Sequence, residues 1–205
     1  MANPPGAAGV TRLILARHGA PEGSVRGRCV GRLDVGLSDE GRQQAEALAQ
    51  PLRALAPAAI YASSSRRAIE SAGPTASACG LEVRLEEDLC EVSFGALEGL
   101  SFEEVEARFP GAWREWMSSP ATVCFPGGES LAHVQARACR ARTTLLSRHA
   151  GETVLAFTHG GPIRALLGAA LSLPDRDLFG LDVPHGSVVV LEWPGRAAGP
   201  GRVTK

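Results

Sequence analysis

Residues 13–19 read Leu-Ile-Leu-Ala-Arg-His-Gly, an apolar run that ends in Arg17, His18 and Gly19. Residues 153–161 repeat the pattern, with Thr-Val-Leu-Ala-Phe-Thr running into His159-Gly160-Gly161. Short apolar runs bounded by turn formers read as buried strands. In open α/β sheets, ligands bind at the carboxyl ends of strands. Histidines and an arginine at such ends point to a phosphate pocket. Phosphoryl transfer asks mainly for positioning and for positive charge around the equatorial oxygens, and arginine forks supply that charge. A neutral imidazole can attack phosphorus and hold it covalently, and a neighbouring cation helps keep it neutral. A carboxylic acid must then protonate the leaving alkoxide and later accept a proton from water. Each residue also has a plainer reading. Arg66 and Arg67 read equally as a solvated helix start, Glu91 as a loop carboxylate, and His159 as a capped core histidine.

The elements that must position these groups alternate. After the first strand comes a Gly- and Arg-rich loop over residues 20–37. Ser38 is a good N-cap, with Asp39 and Glu40 in the first turn. The helix that follows puts Ala45, Leu48, Ala49, Leu52 and Leu55 on one face and ends by Pro57. Residues 58–62 read as a second buried strand, and Ser63, Ser64 and Ser65 offer caps for a helix to Cys79, broken by Gly80. A short strand at 81–85 and a loop at 88–99 precede two short helices, 102–109 and 113–117. Pro126-Gly127-Gly128 is a hard turn, and Glu129-Ser130 opens a long helix to about His149, with His133 and His149 on its surface. A helix over 162–171 and a last strand at 187–193 complete the chain. His185, just before that strand, reads as structural. Alternating strands and helices predict an α/β fold, a three-layer sandwich with a mostly parallel central sheet covered on both faces. Placed in parallel as neighbours, the two histidine-tipped strands bring His18 and His159 to one sheet edge.

Composition narrows the function classes. The 205 residues are enough for one domain with a sizeable core, expected over 10–194 between flexible tails at 1–9 and 195–205. The net charge of −1 gives no argument for nucleic acid or a membrane surface. Of the 21 basic residues only Lys205 is lysine, a bias that reads as genomic composition, although arginine suits bidentate anion binding. Five scattered cysteines without a CxxC pair form neither a disulfide framework nor a zinc site, so a cytoplasmic location is expected. The Pro/Gly/Ala-rich start lacks the pattern of a signal peptide. No metal-ligand spacing such as HExxH is present, and no cofactor is implied.

Four motifs in order resemble those of the histidine phosphatase superfamily, whose founding members are the cofactor-dependent phosphoglycerate mutases. The resemblance runs from about residue 12 to 193. It implies His18 as nucleophile and Arg17 as phosphate ligand. Residues 61–68, Tyr-Ala-Ser-Ser-Ser-Arg-Arg-Ala, resemble the second segment and imply Arg67 as phosphate ligand with Arg66 a bystander. Leu89-Cys90-Glu91, before Phe94-Gly95 and Glu98-Gly99, resembles the third and implies Glu91 as proton donor. Thr158-His159-Gly160-Gly161 resembles the fourth and implies His159 and Gly160 at the phosphate. Two departures lie after His18-Gly19. The family often has Glu-Thr there and an Asn a little later, where this chain has Ala20-Pro21 and Ser24. Either one phosphate contact is lost or Ser24 supplies it. Arg26, Arg28 and Arg32 are placed to meet a second anionic group of the substrate, with plain surface exposure the competing reading.

Residues 29–34, Cys-Val-Gly-Arg-Leu-Asp, look most like the small α-ribazole phosphatases, and fructose-2,6-bisphosphatase-like members share part of the pattern. The segment between Glu91 and His159 is shorter than in mutases. The resemblance therefore implies hydrolysis of a small phosphate ester by a monomer or homodimer. Mutase-type phosphotransfer is the alternative, and a non-catalytic binding module a third reading.

Overall fold

In the computed structural model, which describes residues 9–194 and 202–204, the first apolar run becomes β1 (Val10–Arg17). The others become β2 (Ala59–Ala62), β3 (Val83–Leu85), β4 (Thr153–Thr158) and β5 (Val188–Pro194). The sheet order is β3-β2-β4-β1-β5-β6. β3, β2, β4 and β1 run parallel, whereas β5 is antiparallel to β1. β6 (Arg202–Thr204) pairs antiparallel with β5, so these three residues belong to the sheet and not to the flexible tail expected from 195. The other residues of the two expected tails, apart from Gly9, lie outside the described residues.

Side chains alternate across the sheet. Leu13, Leu15, Tyr61, Val154 and Ala156 pack on one face against α5 (Leu131–Arg148) and α6 (Gly160–Leu171). Ile14, Ala16, Ile60, Leu155 and Phe157 pack on the other against α1 (Asp39–Arg53) and α2 (Arg66–Cys79). These are the three layers the sequence predicts. A one-residue slip of β1 would exchange its two buried sets between unlike helix pairs, so its register is strongly specified. That register pairs Arg17 with Thr158, and His18 and His159 leave the sheet side by side.

The helix starts follow their caps. Ser38 Oγ accepts from Gly41 N, and Ser130 Oγ from His133 N. Gly80 ends α2 in the left-handed conformation. Three expectations change. Leu55 lies beyond the end of α1 and is exposed. α6 begins at Gly160, two residues early, directly behind His159. His149 is buried, because the chain turns inward where α5 ends. Its ring nitrogens meet the Tyr61 hydroxyl at 3.1 Å and Glu152 at 2.8 Å. The short helices α3 (Phe102–Arg108) and α4 (Ala112–Ser118) carry an aromatic cluster of their own, with Trp116 packed against Phe125 and Phe179.

Candidate active site

His18 follows the last residue of β1, and its backbone N–H donates to the Thr158 carbonyl at 3.0 Å. The next step of the chain needs glycine twice. A Cβ on Gly19 would lie 2.3 Å from the Gly41 carbonyl, and one on Gly41 would lie 2.1 Å from that of Ala20. This close passage of the post-strand loop over α1 holds the imidazole in place. Its Nδ1 lies 2.7 Å from the Gly19 carbonyl, which can only accept. Arg67 Nε, which can only donate, points at Nε2 from 3.3 Å. The proton is therefore on Nδ1 and the lone pair on Nε2. Burial pushes the His18 pKa well below its ordinary value. The charge of Arg67 lowers it further, the Gly19 carbonyl opposes, and Arg17 and His185 add to the lowering.

Arg67 is 1% exposed, whereas Arg66 stands in solvent against Glu70 at 2.7 Å. The phase of α2 thus separates the two arginines. The rest of the Arg67 fork donates to the carbonyls of Leu33 at 2.9 Å and Gly31 at 2.6 Å. Arg17 donates to the Val183 carbonyl and to His185 Nε2, the latter at 3.1 Å. His159 is fully buried, with its ring centroid 4.9 Å from that of His18 and its Nε2 2.7 Å from Ser63 Oγ. Burial above all, and then His18 and the arginines, keeps His159 neutral far into acid. Two buried polar atoms of this cluster, Arg17 Nε and His159 Nδ1, have no protein partner. Burying a polar atom unpaired is costly unless something else meets it. With two arginines that keep their charge, the arrangement suits an anion.

Glu91 lines the same cavity, of about 240 Å³, as Arg17, His18 and Arg67. Its Oε1 accepts from Val92 N at 2.9 Å and from Gly161 N, in the first turn of α6, at 3.0 Å. Gly161 must be glycine for this approach, since a Cβ there would stand 2.3 Å from Oε1. Gly160 is the first residue of α6, beside the Arg17 guanidinium. The structure thus brings together Arg17, His18, Arg67, Glu91, His159 and Gly160. It does not bring Ser24 or Arg32 to them. Ser24 is exposed in a 3-10 turn and does not line the cavity, because residues 23–25 turn outward before the chain returns at Cys29. Arg32 reaches instead to Glu129 at 3.3 Å. Arg26 is exposed, and Arg28 stands at the cavity wall, tied to Glu104 at 3.1 Å and to the Gly99 carbonyl at 2.8 Å.

Sequence reasoning missed His185. It lines the cavity 5.2 Å, ring to ring, from His18. Burial, then Arg17 and Arg67, lowers its pKa to about 4. The missing signal was strand direction. A residue ahead of a strand reaches the ligand end only when that strand runs antiparallel, as β5 does. Among the described residues no group of three or more His, Cys, Asp or Glu is arranged to hold a metal ion.

With this geometry in view, the comparison with known families is decisive. The profile of the histidine phosphatase superfamily (branch 1) matches residues 13–200. The chain belongs to that superfamily. Phosphoserine phosphatase 1 of Hydrogenobacter thermophilus is 36% identical over 185 residues, which cover 89% of this chain and 88% of that protein. A bifunctional protein of Mycobacterium tuberculosis is 38% identical over 184 residues, 89% of this chain. The chain spans about half the length of that relative, 50%. The solved mycobacterial glucosyl-3-phosphoglycerate phosphatase superposes with a TM-score of 0.81 at 32% identity, covering 94% of this chain and 96% of that one.

In this member of the superfamily, one buried side chain outside the four motifs holds the loop that carries Glu91. Arg137, on α5, donates to the carbonyls of Asp88 at 2.9 Å, Glu91 at 2.9 Å, and Cys90. Its remaining face pairs with Glu129 at 2.9 Å, which also accepts from Ser93 N at 2.9 Å. Burial pulls the Glu129 carboxyl upward, but Arg137, the Ser93 N–H and Arg32 outweigh it and hold it below the ordinary carboxylate value. Arg137→Ala leaves Glu129 and three carbonyls without this donor. The expected result is a loss of about 3 kcal/mol in denaturant unfolding, the scale for breaking a buried pair, together with a lower kcat. An unchanged unfolding midpoint would show that this loop is held otherwise.

The three neutral histidines set the acid behaviour. Below the ordinary histidine value of 6.5 the unfolded chain takes up protons that the folded chain refuses. Their contribution to stability is complete above 6.5 and declines as pH falls, for His185 across the window from 6.5 to about 4. The melting temperature is expected to drop over that window, and less so in His185→Gln. The acid limb that His18 gives to kcat/KM, corrected for ionisation of the substrate, is expected below 6.5.

Proposed function

We propose that the chain is a phosphomonoesterase that hydrolyses a small phosphate ester in two steps through a phosphohistidine at His18. The observation that carries this reading is the unprotonated Nε2 of His18, set beneath Arg67 and facing a cavity shared with Glu91. Nε2 attacks phosphorus, and the bond from phosphorus to the ester oxygen breaks. Protonated Glu91 gives its proton to the departing alkoxide. Water then attacks the phosphoryl group, Glu91 takes the proton, the P–N bond breaks, and inorganic phosphate leaves. Throughout, the proton stays on Nδ1, which donates it to the Gly19 carbonyl, so the ring needs no tautomer change. Arg17, Arg67, His159 and the amino end of α6 at Gly160 hold the phosphoryl oxygens.

The phosphatase names of the relatives support hydrolysis as the outcome. The stretch 29–34 supports α-ribazole 5′-phosphate, or a broad range of phosphomonoesters, as substrate. The scattered cysteines of the sequence support a cytoplasmic site of action. A panel of phosphomonoesters with the purified chain is expected to release inorganic phosphate in step with the alcohol. Efficient interconversion of 2- and 3-phosphoglycerate with little phosphate release would instead make the chain a phosphotransferase.

A further inference from the structure

A second cavity, of about 330 Å³, opens beside the phosphate pocket and shares Glu91, Phe94 and Trp113 with it. This is within the size range of small-molecule sites. Its own walls are Trp116, Met117, Leu131, Leu178 and Phe179. Glu91 and Arg164 are the only charged side chains among the residues that line it. Two of the chain's large exposed apolar side chains stand at these cavities: Met117 on the second, and Phe102, edge-on to Trp113 at 5.3 Å, on the first. Large apolar residues left at the rim of a concave site mark a surface that a ligand covers.

We infer that this cavity is the leaving-group subsite, and that it selects phosphate esters of flat, largely apolar alcohols over those of polyhydroxylated or amino-acid alcohols. The inference rests on Glu91 being the proton donor. The group that protonates the leaving oxygen must stand beside it, and of the three residues common to both cavities Glu91 is the one with a carboxyl group. An alcohol whose oxygen meets Glu91 carries the rest of its body along the wall of Phe94 and Trp113 into the second cavity. There an aromatic body gains apolar contact and offset ring packing. A sugar hydroxyl, or the ammonium and carboxylate of serine, buried against the same wall loses water and finds few partners. The substrate class therefore differs from those named for the phosphoserine and glucosyl-3-phosphoglycerate relatives.

The test compares primary alkyl phosphates whose alcohols have like acidity, so that binding and not leaving-group chemistry sets the difference. For the purified chain, kcat/KM for 3-phenylpropyl phosphate is expected to exceed that for ethyl phosphate about thirtyfold, the scale for burying one aromatic group. It should also exceed that for phosphoserine and glucose 6-phosphate. Met117→Ala, at an exposed position, and Phe179→Ala should each cut the phenylpropyl preference several-fold and leave ethyl phosphate turnover unchanged. Hydrolysis of all four esters without an aromatic preference overturns the subsite and leaves the phosphatase reading standing, as does a preference that survives in both variants. No hydrolysis of any ester by folded chain overturns both.

Discussion

Replacing His18 by alanine is expected to lower hydrolysis of every phosphate ester by about ten-thousand-fold or more, on the scale seen when a covalent nucleophile is removed. Two other imidazoles stand near His18, each seated on partners of its own. His185, held neutral by burial and Arg17, meets Arg17 at its Nε2. The Nε2 of His159 faces Ser63. The backbone bonds that seat residue 18, from its N–H to Thr158 and from Gly186 to its carbonyl, do not involve the imidazole. The variant should therefore melt close to the parent. A folded His18→Ala chain with undiminished turnover would mean that the ester is cleaved without this nucleophile.

The second large effect is expected at Arg67. Arg67→Ala removes a buried fork that does three things at once: it fixes the lone pair of His18, it lowers the His18 pKa, and it ties down the loop at Gly31 and Leu33. Charge stabilisation of a transferring phosphoryl group by one arginine is worth about a thousandfold or more in kcat, so a loss of that size is expected. Arg67→Lys keeps the charge but cannot span the same partners, and it should recover only a small part of the rate. Arg66→Ala, one residue away and exposed, serves as the control and should leave kcat unaltered. Equal losses from Arg66→Ala and Arg67→Ala would contradict the division of labour set by the phase of α2.

That division was legible in the sequence only through motif order, because two adjacent arginines at a helix start look alike until the helix phase is fixed. The strands were legible more directly. The apolar runs before His18 and His159 have the length and composition of buried strands, and a parallel sheet leaves few other places for them. Where the sequence fell short, geometry between distant segments decided. Ser24 has the right chemistry, but its 3-10 turn faces outward. Arg32 has the right charge, but Glu129, nearly a hundred residues away in sequence, is its partner. His185 looked like a residue before a strand, and only the antiparallel pairing of β5 with β1 carries it to the catalytic end. Arg137 looked like one more arginine on a helix. Its role follows from three carbonyls of a loop that has no periodicity to read. The segment of α3 and α4 was visible as two short helices that help to shape the pocket, but which of its rings line the cavities was not.

The phosphohistidine is open to direct observation. Purified chain mixed with a reactive phosphate ester, quenched within one turnover and digested, can be read by mass spectrometry under conditions that spare the P–N bond. The expected result is one added phosphoryl group on the peptide that contains His18, placed on His18 by fragmentation and absent from His18→Ala. Steady hydrolysis with no phosphorylated enzyme, or phosphate carried on another residue, would contradict the two-step route through His18.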